Sequence, residues 1–241
     1  DQSVHKILPI WSHYSNENWC MIGYHAVPVI VDAYMKGLRN YDTNKAFDAV
    51  LSSSNYELYD GIGYYKKYGF VPEDLNSNSA SKTLEYAYDD WTIYKFAESI
   101  GEKKIADEYY KRAQYYKNLF DPVTKFIRAK NSDGKFKEPF DALSTANQGY
   151  IEGNAWNYSL YVPHDVKGFI NLLGSKEKLI TWIDSLFTMH ISDESFAHSE
   201  DIDRAGMIGN YVHGNEPSHQ VPYMYCYAGE PWKTQEKIHQ I

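Results

Sequence analysis

The stretch that decides the fold runs from residue 79 to residue 120. It begins with SASKTLEYAYDDWTIYKFAESI at 79–100 and, after Gly101, continues with KKIADEYYKRAQYYKNLF at 103–120. Both segments carry apolar or aromatic residues at helical spacing: Leu84, Tyr88, Trp91, Ile93 and Ala97 in the first, and Ile105, Tyr109, Ala113, Tyr116 and Phe120 in the second. Ser79 or Ser81 is expected to cap the first helix, and Gly101 is expected to end it. The stretch therefore predicts an antiparallel helical hairpin.

Patterns of the same kind predict further helices on both sides of this hairpin. One lies within 21–38, with Ala26, Val29, Ile30, Ala33 and Tyr34 on its buried face, and one follows Asp42 as N-cap. Others are predicted near 155–161, 165–173, 175–190, 219–228 and 231–241. Long loops are expected at 56–78, 138–155 and 191–218, and a small β-hairpin around Asp133-Gly134. The predicted class is mainly α: residues 1–241 form part of an (α/α)6 toroid of helical hairpins, as one partial domain.

Composition limits the classes of partner. The formal net charge of −8 makes nucleic acid and anionic membrane surfaces poor partners, and no apolar run is long enough to span a membrane. The chain is rich in Tyr (23) and also carries six Trp, so its aromatic rings either fill a helical core or line a groove that stacks on sugar rings. Cys20 and Cys226 form no metal-ligand pattern, and we expect Cys226 to be a buried free thiol.

Two polar clusters have the residue types of a sugar or cation site. Residues 214–223 read GNEPSHQVPY, in which Asn215, Glu216, His219 and Gln220 suit a hard cation or sugar hydroxyls. Residues 152–158 read EGNAWNY, in which an apolar wall from Trp156 would raise the pKa of the Glu152 carboxyl group, as a general acid requires. The alternative for Glu152 is a helix N-cap role, and the alternative for His219 is ordinary hydrogen bonding.

Asp89-Asp90-Trp91 is a third candidate, in the middle of the first predicted helix. Adjacent helical residues point about 100° apart, so at most one of the two carboxylates is expected to share the core face with Trp91. That carboxylate could bind a sugar hydroxyl; equally, both acids could be solvated. Glu200, Asp201 and Asp203 add negative charge to a predicted loop and are more typical of a solvated segment.

The clusters, taken together, resemble glycoside hydrolase family 92, the calcium-dependent α-mannosidases. The matching stretches occur in family order: MIGYHAVPVIVDAY (21–34), TLEYAYDDW (83–91), EGNAWNY (152–158), VPHD (162–165), HGNEPSHQVPY (213–223) and YAGEPWKTQ (227–235). The resemblance implies an exo-acting enzyme that removes α-linked mannose from glycans with inversion and uses Ca²⁺ to bind the mannose hydroxyls.

The same resemblance implies roles for individual residues. Glu152 falls at the position of the general acid, and Asn215, Glu216 and Gln220 fall in the stretch that binds calcium. Asp89, Asp90, Trp91, Trp156, His213 and His219 are the candidate substrate contacts. A secreted, periplasmic or cell-surface location is implied as well.

The chain also departs from the family pattern. The family's general base lies in a Gly-Asn-Asp-Asp-Cys-Gly run that follows the Pro-Trp-Lys-Thr-Gln motif, and these 241 residues contain no such run. The family's N-terminal β-sandwich is missing too. We therefore expect a central piece of the catalytic domain, inactive alone, whose missing parts belong to its own parent chain. The rival hypotheses are another toroid glycosidase, acting on glucosides or trehalose, and a carbohydrate-binding module without catalysis.

Overall fold

Among the residues that the structure describes, helices make up most of the regular structure, together with two short antiparallel hairpins. The computed structural model describes residues 6–192, 195 and 206–241. The predicted mainly α class is confirmed. The chain divides into two units, residues 1–118 (unit 1) and residues 119–241 (unit 2), and the expectation of one partial domain stays a prediction. None of the described helices combines the length and the apolar character needed to cross a membrane.

Unit 1 is built around its longest helix. Its described elements are strands β1 (Ser12–His13) and β2 (Asn16–Glu17), paired in a hairpin, and helices α1 (Ala26–Met35), α2 (Thr43–Ser54), α3 (Ile62–Tyr68), α4 (Ser79–Ile100) and α5 (Lys103–Arg112). Helices α1, α2 and α5 all pack against α4, and most α4 residues are buried. Polar residues on such a helix need partners inside the protein, because water does not reach them.

The predicted helical hairpin is confirmed in α4 and α5, with Gly101 in the left-handed conformation (φ 84°) at the end of α4. The second helix is shorter than expected, since α5 ends at Arg112 and a 3₁₀ helix follows at Tyr115–Leu119. The tighter three-residue period of that turn brings Tyr116 and Leu119, both fully buried, to one side.

The start of α4 differs from the predicted serine cap. Asn78, in a left-handed conformation (φ 56°), occupies the N-cap position without a side-chain cap bond. The backbone N–H of Ser79 instead donates to Oε2 of Glu73 at 3.1 Å. The serine-cap prediction is therefore wrong, because a carboxylate from the preceding loop satisfies this helix end.

Helix α1 buries Tyr34 as predicted, but the rest of its buried face differs from the prediction. It buries Val27, Val31 and Tyr34, whereas Val29 is 69% exposed. The buried residues follow i, i+4, i+7 spacing on the side that meets α4. The Asp42 cap of α2 is confirmed, because its carboxylate accepts from the N–H of Lys45 at 3.0 Å.

The predicted loop at 56–78 contains helix α3, which the sequence reading missed. Gly61 (φ 85°) and Gly69 (φ 74°) bracket this helix in left-handed conformations. Glycines at such spacing indicate a loop, but here they begin and end a short helix.

Unit 2 contains shorter helices. Its described elements are α6 (Ala155–Tyr158), α7 (Val166–Leu173), α8 (Lys176–Thr188), strands β3 (Met207–Ile208) and β4 (Tyr211–Val212), 3₁₀ turns at Glu216–Ser218 and Val221–Tyr223, and helices α9 (Met224–Ala228) and α10 (Pro231–Gln240). The helices lie where the sequence predicted them, with shorter ends. Two single bridges, Phe120 with Ile127 and Lys130 with Phe136, stand where a hairpin was predicted.

The prediction of a buried thiol at Cys226 is wrong. Cys20 and Cys226 are both free and exposed. The Sγ atom of Cys226 lies 3.3 Å from Oγ1 of Thr234, so the side chain lies along the junction of α9 and α10 rather than inside unit 2.

Candidate active site

Glu152 lies two residues before the cap of the short helix α6 and is half-buried. That cap is Asn154: its Oδ1 accepts from the N–H of Trp156 at 3.1 Å, and the Oδ1 of Asn157 accepts from the N–H of Asn154 at 3.1 Å. The alternative in which Glu152 caps this helix is therefore wrong. Its carboxyl group has a different partner.

Three asparagines connect the start of α6 to the turn between β3 and β4. The side chains of Asn154 and Asn210 bond to each other through two amide contacts of 3.2 Å, and the side-chain N–H of Asn157 donates to the Asn210 carbonyl at 2.6 Å. The neighbouring Gly209 (φ 64°) passes so close to α8 that a Cβ atom there would lie 2.5 Å from the Leu186 carbonyl oxygen. This arrangement fixes the segment after β4 relative to Glu152, and the sequence reading missed it.

Asn215, in that segment, contacts Glu152 directly. Its Nδ2 donates to Oε2 of Glu152 at 2.7 Å. The Oδ1 atom of Asn215 is buried and has no hydrogen-bond partner among the described residues. A buried amide oxygen without a donor is costly unless a water or a cation satisfies it. The predicted acid and one predicted calcium ligand are thus in direct contact, and Asn215 also lines a small pocket with Gly153, Pro217 and Ser218.

The other predicted calcium ligands flank Asn215. Glu216 is exposed and begins the 3₁₀ turn at Glu216–Ser218. The side-chain nitrogen of Gln220 donates to the Pro217 carbonyl at 2.7 Å and the Leu160 carbonyl at 3.3 Å, which aims its amide oxygen away from both. Within the described ranges, no group of three or more His, Cys, Asp or Glu side chains could hold a metal ion. A cation here would be bound by oxygen atoms, with amide oxygens among them, and such ligands suit calcium better than zinc.

Two histidines, His213 and His219, lie on either side of Asn215 in the sequence. The rings of His213 and His219 lie 4.8 Å apart, and Nε2 of His219 donates to the His213 carbonyl at 2.8 Å. Nδ1 of His213 lies 2.8 Å from the Tyr211 hydroxyl. Both histidines are exposed. The hydrogen-bonding alternative for His219 is therefore confirmed, and its sugar contact stays a prediction.

Trp156 lies in an aromatic cluster. Its ring meets Phe126 and Trp182 edge to face, with ring centroids 5.3 and 5.4 Å apart, and its backbone carbonyl accepts from the indole N–H of Trp182. These contacts explain the position of the Trp156 ring without a bound ligand. Its predicted contact with substrate stays a prediction.

Asp89 and Asp90, in unit 1, are both fully buried, so their interpretation as solvated acids is wrong. The expectation that at most one of the two carboxylates faces the core is wrong as well, because other elements cover nearly all sides of α4. Asp90 accepts from the Tyr24 hydroxyl at 2.6 Å, the Tyr65 hydroxyl at 3.1 Å and Nε of Arg112 at 2.8 Å. This carboxylate stabilises the core of unit 1.

Asp89 binds the segment before α1. Its Oδ2 accepts from the N–H of Tyr24 at 2.9 Å, and its Oδ1 lies 2.8 Å from Nδ1 of His25. Trp91 is half-buried, with its ring stacked on Tyr88 at 6.4 Å. The predicted sugar contacts of these residues stay predictions. Glu200, Asp201 and Asp203 lie outside the described residues.

A mainly helical chain that brings a carboxyl group and a buried amide oxygen together at Glu152 and Asn215 has the features of a carbohydrate-active enzyme. The model of the glycosyl hydrolase family 92 catalytic domain matches residues 1–241. The chain belongs to that family.

Solved structures of similar proteins agree with this assignment. The family GH92 alpha-mannosidase BT3965 of Bacteroides thetaiotaomicron is 41% identical, with a TM-score of 0.90, over 100% of this chain and 30% of its own. The structure of its complex with mannoimidazole is 42% identical in sequence, with a TM-score of 0.92, over 100% of this chain and 32% of its own. The family GH92 inverting mannosidase BT2199 of the same organism is 36% identical, with a TM-score of 0.84, over 97% of this chain and 33% of its own.

A curated relative, described as an uncharacterized secreted glycosidase of Arthroderma benhamiae, is 27% identical over 90% of this chain and 30% of its own length. The chain thus spans about a third of the length of the proteins that it resembles.

Proposed function

We propose that this chain is part of the catalytic domain of an exo-acting α-mannosidase that hydrolyses α-linked mannose from glycans with inversion, and that Glu152 is its general acid. The observation that carries the proposal is the 2.7 Å bond between Asn215 Nδ2 and Glu152 Oε2, which joins the two sequence clusters. A solved mannosidase matches the whole chain, and one of its structures is a complex with mannoimidazole. The names of these structures support this substrate class.

The Asn215 contact suits an acid that must deliver a proton. An N–H donor at Oε2 favours the form in which Oε2 is the carbonyl oxygen and the proton is on Oε1. From Oε1 the proton can pass to the glycosidic oxygen as the bond to the leaving group breaks. Asn215 thereby orients Glu152 as well as contacting it.

The donor set fits a calcium ion. Asn215 would supply its buried Oδ1, which has no partner among the described residues, and the Gln220 amide oxygen and the Glu216 carboxylate would be the further oxygen ligands of the segment. When bound, calcium would fix neighbouring mannose hydroxyls and favour a flattened sugar ring. The role of the protein is to place these oxygen atoms next to the acid. A sugar that is bound through them then has its glycosidic oxygen near Glu152.

The rest of the machinery is expected beyond these 241 residues. An inverting mechanism requires a second carboxylate that activates water, and the family places it downstream of the Pro231–Gln235 motif. We propose that the chain forms part of an α/α toroid in a longer, exported protein and is inactive alone. A relative described as secreted supports export.

The test is an assay of the full-length protein and of residues 1–241 with an aryl α-mannoside. We expect the longer protein to release β-mannose as the first product, detected by proton NMR, and to lose activity with a chelator and regain it with calcium. The shorter chain should be inactive. Release of α-mannose first, or faster cleavage of an aryl α-glucoside, would contradict the proposal.

A further inference from the structure

The imidazole of His25 lies between two carboxylates of α4 in unit 1. Its Nδ1 is 2.8 Å from Oδ1 of Asp89, and its Nε2 is 2.8 Å from Oε2 of Glu85. Both carboxylates are buried, with side-chain exposures of 6% for Glu85 and 0% for Asp89, whereas the His25 side chain is 41% exposed. A neutral imidazole has one N–H and would turn a lone pair towards one of these carboxylates, whereas an imidazolium donates to both.

Residues 19–25, the segment that ends at His25, have an unusual backbone conformation. Trp19 (φ 57°), Met21 (φ 71°) and Gly23 (φ 81°) all have left-handed conformations, which are uncommon for side chains as large as Trp and Met. A Cβ atom on Gly23 would lie 2.4 Å from Nε2 of His25, so the ring packs directly on the glycine. Strained backbone persists only where surrounding contacts impose it, and the two His25 bonds are such contacts.

We propose that Glu85, His25 and Asp89 form an imidazolium latch: His25 stays protonated through neutral pH and fixes residues 19–25 on α4, and its deprotonation at alkaline pH releases them. This device lies in unit 1 and does not depend on the mannosidase proposal.

The charges around the latch are consistent with this role. Burial lowers the pKa of His25, but Asp89 and Glu85 raise it well above its ordinary value overall. Two cations on α4 and α5 have partners of their own: Arg112 donates to Asp90, and Lys82 donates to Asp60 and Asn76. Glu17 and Asp60 add negative charge near Tyr59. Without the imidazolium, two buried carboxylates one helical turn apart would repel each other.

The direction of the pH effect follows. The pKa of His25 is higher in the folded than in the unfolded protein, where it is about 6.5. The stabilisation is therefore complete below about pH 6.5 and is lost as the pH rises through the folded pKa. The loss occurs on the alkaline side of neutrality.

The direct test is ¹⁵N NMR of the histidine side chains in the wild-type chain. At pH 7.5 we expect both ring nitrogens of His25 to carry protons. The Glu85→Gln variant should shift the His25 titration to lower pH. A neutral His25 with one protonated nitrogen at pH 7 would overturn the proposal, and this readout requires no variant to fold.

The second test follows release of the segment through hydrogen exchange. The Tyr24 N–H donates to Asp89, so its protection factor, corrected for intrinsic pH dependence, should fall at least about tenfold between pH 7 and pH 10. In the His25→Gln variant it should be low and independent of pH. The control is His239→Gln, which should behave as wild type. A Tyr24 protection factor that is equal at both pH values in the wild type would contradict release.

Discussion

Asn215 and Glu152, 63 residues apart in the sequence, are joined by a 2.7 Å bond from the amide nitrogen of one to the carboxyl oxygen of the other. The bond connects the segment before the 3₁₀ turn at Glu216–Ser218 to the segment before α6. Its position is set by Asn154, Asn157 and Asn210, which tie those two segments together. The chemistry proposed for Glu152 depends on this relationship.

Replacing Asn215 by Asp tests the relationship through pH dependence. The variant places a second carboxylate at hydrogen-bond distance from Glu152, and a like charge raises the pKa of a carboxyl group. We expect the alkaline limb of kcat/KM in the full-length protein to move to higher pH by about one unit. The matched control is Asn171→Asp on the exposed side of α7, which should leave the limb in place. An unchanged limb in the Asn215 variant would mean that the two groups do not interact.

The buried ion pair of unit 1 predicts a large loss of stability. Asp90→Ala leaves the Arg112 guanidinium, only 4% exposed, without its carboxylate. Removing one partner of a buried pair costs about 3–5 kcal/mol. The control is Asp107→Ala, which breaks the exposed pair with Lys103 and should cost less than about 1 kcal/mol. Urea unfolding measures both, and equal losses would contradict the structural role of Asp90.

Gly209 and Gly134 both have left-handed backbones, but only Gly209 lies against neighbouring atoms, so alanine should affect them unequally. Gly209→Ala would combine a left-handed backbone with a Cβ 2.5 Å from the backbone of α8, whereas Gly134→Ala meets only the backbone strain, because nothing lies within 4 Å. We expect the Gly209 variant to be less stable than the Gly134 variant by about 1–3 kcal/mol. Thermal unfolding would show it, and similar melting temperatures would contradict the close approach.

A parallel comparison tests the packing of the latch. Gly23 and Gly37 have similar φ angles of 81° and 86°, but only a Cβ on Gly23 would overlap the His25 ring. Gly23→Ala should therefore lower the His25 titration midpoint in NMR, while Gly37→Ala leaves it unchanged. Equal midpoints in the two variants would mean that Gly23 has no part in positioning the ring.

The sequence predicts the elements of this fold better than their faces. The existence and the C-terminal end of helix α4 were predicted because apolar residues recur at helical spacing and Gly101 stops it, but its N-cap was not. On α1 the burial of Tyr34 was predicted, but that of Val27 and Val31 was missed because it depends on packing against α4, which no local pattern encodes. Helix α3 was missed because the glycines at its ends also resemble loop signals.

The residue types of the candidate site were readable from the sequence, but their pairings were not. Glu152 and Asn215 were singled out by their polar and aromatic neighbours, and the resemblance assigned their roles. Asn210 and His25 were not singled out, because their partners lie 53 to 64 residues away and become neighbours only in the fold. A histidine within MIGYHAVPVI shows no sign of the two carboxylates that it meets on α4.

The central claim is that Glu152 donates the proton to the leaving group, and its most direct test is leaving-group dependence in the full-length protein. We expect Glu152→Gln to reduce kcat/KM by about 10²–10⁴-fold for aryl α-mannosides with poor leaving groups, and much less for those with good ones, because only the former need the proton. The exposed Glu177→Gln variant on α8 is the control and should match wild type. An equal loss for every leaving group would contradict the account.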